Sequence, residues 1–530
     1  MDSLESLELS ASNLWGLGAR TLCSTPLLTT LNLTRNNIVE VSEVGLTEAA
    51  DPRTSCQLLH LKSLDLSYNK ISSFLPRDLS LAPGIQNLNL RGNRIAVLSD
   101  QTLTGLWSLG SLDLSSNQLA AIPPTFFHQA SNLKKLYLEN NTISTVSEGV
   151  FSGLENLLLL NISRNLINSE TLTQGVLSNL NKLVALDLSN NLLTSLPSDL
   201  FTAQQSLRIL NLQRNQISNV SSTALKSLIN LHILLLSENR FSSLPPALLD
   251  NLAQLSSLSL DSNELGSVPI QLLSAVPRLQ DLALNRNLLR EVPEGIKHLP
   301  LLRTLDLGEN LISKLPSKLF WNLTKLYGLG LAGNQLETVG KEVFLNNTEL
   351  NVLTLSHNNI STIEPNALTG LTSLKALRLD SNRLKDINGL VATQKNLTWM
   401  NVSENQIQWF DFAFIPKSLE WLDIHNNKID RIGNYYSLTT GFKLETLDAS
   451  YNRITELAPD ALLYSLKNLY LNNNRINKVA PGSFINLENL TRVELQGNLL
   501  AGIEMDSLAL KYTGKINFFM GLKNTLRDFE

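Results

Sequence analysis

Apolar residues in this chain return in one frame, L-x-x-L-x-L-x-x-N-x-L, about every 24 residues. The frame Asn falls at Asn36, Asn69, Asn93, Asn117, Asn141, Asn165, Asn191, Asn215, Asn239, Asn263, Asn287, Asn310, Asn334, Asn358, Asn382, Asn405, Asn427, Asn452, Asn474 and Asn498. A degenerate copy at residues 4–14 carries Ser12 in place of the Asn, making 21 units that run to about residue 500. Within the frame, L-x-L alternates an inward Leu with outward residues, the period of a strand. The chain must then turn. Asn suits that turn because its amide donates and accepts at once, which lets it satisfy buried backbone groups. Ten residues later comes another apolar post: Phe127, Phe151, Phe201, Phe320, Phe344 and Phe484, with Leu in most other units.

No such unit can bury its own Leu set, so neighbours must stack. A 20–29-residue period with this frame is the signature of a leucine-rich repeat solenoid. The predicted fold class is therefore an α/β repeat. It is a horseshoe with a concave parallel β-sheet and an irregular or short-helical convex side. Residues 1–500 should form the solenoid, irregular and aromatic-rich over 385–457. Residues 501–530 read as an incomplete closing repeat followed by a divergent tail.

Charge and hydropathy then narrow the function classes. Lys+Arg number 43 against 47 Asp+Glu, a formal net charge of −4. No basic stripe points to nucleic acid. No apolar run reaches the ~18 residues of a membrane helix, and Met1 opens on a repeat with no leader pattern before it. Neither a Cys-rich cap nor a C-x-C cap closes the ends, so the chain reads as a piece of a longer protein, a splice form or an incomplete gene product.

Ten N-x-S/T sequons suggest an extracellular glycoprotein: Asn32, Asn140, Asn161, Asn219, Asn322, Asn346, Asn359, Asn396, Asn401 and Asn489. Asn32, Asn161 and Asn401 lie at outward strand positions, where a glycan would obstruct the sheet. The two cysteines, Cys23 and Cys56, fall at equivalent positions of adjacent units once a nine-residue insertion around residues 48–54 is removed. Two readings stand: a disulfide that ties down the insertion in an oxidising compartment, or two buried thiols. The expectation carried forward is the disulfide.

No catalytic constellation is found, and an enzyme is not expected. The six histidines fall in six different units. His357 and His425, both on the strand side, are three units apart, roughly 15 Å, too far to share one metal ion. Strand acids such as Asp65, Asp113, Asp187, Asp306, Asp423 and Asp448 recur at one outward position and read as a solvated polar ladder. Gly328, Gly330 and Gly333 spell G-x-G-x-x-G, but inside a repeat strand rather than between a strand and a helix. The triplet reads as a bare patch beside Tyr327. No cofactor is expected.

Two zones are candidates for a protein partner. In four adjacent units the outward positions are apolar, including Leu158, Val184, Ile209, Ile233 and Leu235. Contiguous exposed apolar surface marks contact sites, although aliphatic packing between strands would use the same residues. The second zone holds Trp399, Trp421 and Tyr451, residue types that dominate interface energetics. Trp421 could equally serve as a cover for irregular units.

The aromatic segment is specific enough to suggest a family. The run WFDFAFIPKSLEWLDIHNNKIDRIGNYY, followed by LETLDASYNRITEL, resembles the ectodomain of the long insect Toll receptors. The opening LESLELSASNLWGL and the insertion bearing Cys56 look like the same ectodomain. The resemblance covers roughly residues 1–510. It implies the extracellular ligand-binding region of a Toll-like receptor, a single-pass plasma-membrane receptor of signal transduction and innate immunity. By resemblance its partners are secreted cystine-knot proteins or another receptor ectodomain, with a homodimer possible. The competing readings are an extracellular repeat protein of cell adhesion and a soluble truncated decoy.

Overall fold

A computed structural model describes residues 3–18, 21–47, 58–434, 440–458, 461–480, 483–484 and 487–500, together with the strand Asn517–Phe519. The chain divides into two compact units, residues 1–264 with 268–279, and residues 265–267 with 280–530.

Each unit is built the way the frame requires. In the first, three-residue strands run from Ser6–Glu8 to Ser257–Ser259, every neighbouring pair parallel and in strict register. The leading residues align as Ser6, Thr30, Ser63, Asn87, Ser111, Lys135, Leu159, Ala185, Ile209, Ile233 and Ser257. In the second, the alignment is Asp281, Thr304, Gly328, Val352, Ala376, Trp399, Trp421, Thr446, Asn468, Arg492 and Asn517. Asn517–Phe519 thus adds a parallel strand from a stretch that shows no repeat frame. The middle residue of each strand in the frame is the inward Leu, or Met400 or Val493 in two repeats, and it is fully buried in every repeat after the first, where Leu7 is half-buried. Burying one such side chain contributes roughly 1.5–3 kcal/mol, which is why the register is fixed. A slip of one residue would turn every Leu to water.

The frame Asn does what the sequence implies. Asn117 donates from Nδ2 to the carbonyls of Leu90 (3.0 Å) and Leu114 (3.0 Å), while its Oδ1 accepts from the Ile95 amide at 3.0 Å. The same three bonds recur in other units, for instance at Asn239 and Asn358. Each Asn therefore ties its own turn to the preceding unit. Asn36 reaches back to the degenerate first unit in the same way, its Oδ1 accepting from the amides of Ser12 and Leu14.

The return side is irregular. It holds short helices at Gln174–Leu177 and Ile270–Ser274, 3-10 turns such as Glu294–His298, and paired two-residue strands such as Ser195–Leu196 with Asn219–Val220. The Phe posts line its interior. Phe127 stacks on Phe151 with centroids 6.0 Å apart, and Phe320 on Phe344 at 5.9 Å. In the aromatic-rich stretch a 3-10 turn, Phe412–Phe414, is capped by Asp411, whose carboxylate accepts from the Ala413 amide at 2.8 Å. Phe410 and Phe412 are buried in the core, while the exposed Trp409 packs edge-on against the half-buried Phe414.

Candidate binding surface on the strand face

The outward side of each sheet consists of rows that run across the strands. The row at each strand's third residue is rich in Asn and Asp, and it is not merely solvated. Asp65, Asp113, Asp187, Asp306, Asp423 and Asp448 each accept through Oδ1 the backbone amide two residues on, closing the strand with a side-chain turn. Asn32, Asn89, Asn161, Asn211 and Asn401 do the same. The solvated-ladder reading is therefore corrected: these side chains hold the turn. The residue just before the frame Asn takes a left-handed conformation throughout, as at Arg164 (φ 52°), His357 (51°) and Tyr451 (55°). Side chains there project from the turn, and Tyr451 is 56% exposed.

In the first unit the register brings the apolar candidates together. Leu159, Ala185, Ile209 and Ile233 occupy one row on four successive strands, flanked by Lys135 and Ser257. Leu235 lies one row over, between Asn211 and Ser259. Leu158 and Val184 precede their strands, and the Leu158 carbonyl accepts the Val184 amide at 2.8 Å. Leu158 and Ile209 are exposed; Val184, Ile233 and Leu235 are half-buried. The row is thus open to water along its length and does not form part of the Leu core.

In the second unit, Trp399 and Trp421 are register partners and their rings stack, centroids 4.6 Å apart and planes within 1°. Ala376 flanks the pair on one side and Thr446 on the other, both small side chains. Tyr451 is not in this row but on the turn of the next repeat. Further along, the Arg492 guanidinium lies over the Tyr470 ring, 5.3 Å from its centroid.

The structure also joins His425 to two strand acids with which the sequence reading did not group it. Asp423 faces Asp448 across adjacent strands, and His425 stands two residues beyond Asp423. His425 Nδ1 lies 2.7 Å from Asp423 Oδ1. One ligand atom from each of the three comes within 4.8 Å of the others. The hydrogen bond to Asp423 holds the His425 imidazole above its ordinary range, and burial pushes the Asp448 carboxyl up. Reading histidines only against histidines missed this group. The signal was available: counting from frame Asn to frame Asn aligns Asp423 with Asp448.

A second charged cluster crosses the first unit. Arg91 Nη1 lies 3.0 Å from Glu139 Oε1, and Arg91 Nε donates to the Tyr68 hydroxyl at 3.1 Å. The other Glu139 oxygen is buried without a hydrogen-bond partner, and burial raises the Glu139 carboxyl above the usual range.

The glycine triplet lies where expected, on the strand Gly328–Gly330 and its left-handed turn at Gly333, with Tyr327 exposed beside it. A Cβ on Gly328 would meet nothing within 4 Å, whereas one on Gly330 would come within 2.5 Å of Asp306 Oδ1.

Among the sequons, Asn140, Asn219, Asn322, Asn396 and Asn489 are exposed; Asn32, Asn161, Asn346, Asn359 and Asn401 are half-buried. The amides of Asn322, Asn346, Asn396 and Asn489 each donate to a carbonyl of the preceding repeat. Nδ2 carries two hydrogens, so this bond and a glycan are compatible. Cys23 is disulfide-bonded. Cys56 and the insertion at residues 48–54 lie outside the described residues. Among the described residues no helix is long and apolar enough to cross a membrane.

Comparison with known proteins agrees with this construction. The leucine rich repeat family model matches residues 45–95, 107–167, 168–217, 205–265, 277–336, 324–384 and 442–500, well over half of the chain. Toll-like receptor 7 of Drosophila melanogaster is 54% identical over 217 residues, which is 41% of this chain and 15% of that receptor. The chain thus matches only a small part of the relative's length. Among solved structures, the Drosophila Toll–Spatzle complex superposes with a TM-score of 0.64 at 18% identity, covering 89% of this chain and 85% of that one. The TLR13–ssRNA13 complex gives 0.62 at 21% identity, covering 98% and 82%. At these identities the structures establish the fold. The Toll-type resemblance read from the aromatic segment is shown by the match to Toll-like receptor 7 together with the repeat family.

Proposed function

Because the chain belongs to the leucine-rich repeat family, we propose that it is the ligand-binding repeat region of a Toll-type cell-surface receptor, and that its strand face recognises a secreted protein. The observation that carries this reading is the apolar row Leu159–Ala185–Ile209–Ile233, aligned across four strands, partly open to water and extended by Leu158, Val184 and Leu235 beside it. Such a row gains nothing for the core and is matched to an apolar partner surface. The Toll neighbour is bound to Spatzle, which supports a protein ligand. The TLR13 neighbour carries single-stranded RNA. A formal net charge of −4 argues for protein over RNA in this chain. A ligand-binding role also places the sequons and the Cys23 disulfide in the extracellular setting they suit. Binding, rather than catalysis, is the activity proposed, with signalling left to parts of a parent receptor.

The experiment is surface plasmon resonance of the secreted chain against Spatzle and a panel of secreted cystine-knot proteins. We expect saturable binding by at least one of them. Ile209→Asp with Ile233→Asp should weaken it by about 2 kcal/mol or more, the scale of an interface hot spot, without loss of secretion. Absence of binding to every member, or affinity unchanged in that double variant and in Trp399→Ala with Trp421→Ala, overturns the proposal.

A further inference from the structure

We propose that Asp423, His425 and Asp448 form a binding site for a divalent transition metal of the zinc type on the strand face of the second unit. The site follows from backbone geometry. The parallel register sets Asp423 directly opposite Asp448, and the side-chain turn closed by Asp423 on the His425 amide (2.9 Å) brings the imidazole back over the same strand end. The result is one imidazole and two carboxylates, each with a ligand atom within 4.8 Å of the others.

The row itself shows why a cation belongs there. Where an acid occupies this position elsewhere, an amide on the next strand can fill the gap: Asn89 donates to Asp65 Oδ2 at 3.0 Å, and Asn211 to Asp187 Oδ2 at 3.1 Å. Opposite Asp423 that Asn is replaced by a second carboxylate. Like charges directly opposite on neighbouring strands are destabilising. A divalent ion between them converts the repulsion into two ligand bonds, and with a neutral imidazole the site carries no net charge. Zinc takes His nitrogen and carboxylate oxygen at about 2.0–2.2 Å, commonly with three protein ligands and one open position. Calcium and magnesium prefer all-oxygen shells, so the imidazole selects against them. Supporting contacts are already in place: the Ser450 hydroxyl and amide both donate to Asp448 Oδ1, at 2.6 and 3.0 Å, and fix its orientation. Trp421 stands two residues before Asp423 on the same strand, so the site borders the Trp399–Trp421 stack, and water or a side chain of a docked protein would complete the shell. The site does not depend on the receptor reading, since its ligands all come from this chain.

The test is calorimetric titration of the purified, chelator-stripped full chain with zinc chloride at neutral pH, with cobalt(II) substitution as a spectroscopic readout. One ion per chain is expected, undisturbed by about a hundredfold excess of magnesium, with visible cobalt bands of a low-coordinate site. His425→Ala and Asp448→Asn should each weaken binding by about tenfold or more while leaving the metal-free circular dichroism of the parent unchanged. If His425→Ala fails to fold, Asp448→Asn, which keeps the side-chain shape, decides alone. No saturable binding by the parent, or binding retained within about threefold in the folded variants, overturns the proposal, because the ion would then sit at another histidine or nowhere.

Discussion

Trp399 and Trp421 stand at the same row of adjacent parallel strands with their indole planes within 1° and their centroids 4.6 Å apart. Aromatic pairs of this kind contribute roughly 0.5–1.5 kcal/mol beyond the area they bury. Either Trp→Ala change should therefore destabilise the fold by about 1–3 kcal/mol and abolish the exciton signal of the pair in circular dichroism. A double-mutant cycle in urea should give a coupling of about 1 kcal/mol. A coupling near zero would mean that the rings pack independently.

The frame Asn is the most costly polar residue to remove. Asn117→Ala leaves the Ile95 amide without its partner and takes one of two Asn donors from each of the Leu90 and Leu114 carbonyls, which keep Asn93 and Asn141. At roughly 1–3 kcal/mol for the unsatisfied amide and about 1 kcal/mol for each of the two lost hydrogen bonds, the loss should reach on the order of 3 kcal/mol in chemical denaturation. Asn132 donates a single exposed bond to the Trp107 carbonyl, and Asn132→Ala should cost less than about 1 kcal/mol. Equal costs would refute the role given to the frame Asn.

Glu139 supplies a pH dependence. Burial, the largest influence, raises its folded pKa above the unfolded value of about 4.3. The fold therefore favours the neutral acid. That contribution is complete below the unfolded pKa and is lost as pH rises through the raised folded pKa. Glu139→Gln, which stays neutral, should gain stability relative to the parent on going from pH 4 to pH 7.5, read as a shift in urea midpoints. A change of the opposite sign would show that the ion pair with Arg91 outweighs burial.

Cys23 is disulfide-bonded, and Cys56 is the other cysteine of the sequence. Non-reducing peptide mapping of secreted protein should recover a Cys23–Cys56 linked pair. Reduction should lower stability by about 2–5 kcal/mol if the insertion is thereby released. Two thiols open to alkylation in unreduced material would contradict the pairing.

Asn161 lies in the third-residue row, next to the apolar row, with its Oδ1 engaged by the Ser163 amide and hydroxyl. Enzymatic deglycosylation of secreted chain should convert Asn161 to Asp in mass spectra. Asn161→Gln should then raise affinity for a ligand seated on Ile209 and Ile233. An unmodified Asn161 would remove the glycan from consideration at this site.

The sequence by itself determined the repeat construction. A Leu at nearly every inward strand position and an Asn at all but the first turn leave no other way to bury the apolar residues and satisfy the backbone. Strand positions, register and the Phe posts could therefore be counted directly from frame to frame. The sequence offered Leu158, Val184, Ile209, Ile233 and Leu235 together, and the strand register sorted them, placing Ile209 and Ile233 in one row with Leu159 and Ala185. Tertiary structure decided what the outward side chains do to each other. A carboxylate looks the same in the sequence whether Asn89 or Asp448 stands across from it. The stacking of Trp399 on Trp421, the burial of one Glu139 oxygen and the convergence of Asp423, His425 and Asp448 depend on rotamers and turn geometry. Even the left-handed turn that lifts Tyr451 out of the Trp row is a backbone choice made by the stack, since the residues at that position range from Gly to Arg to Tyr.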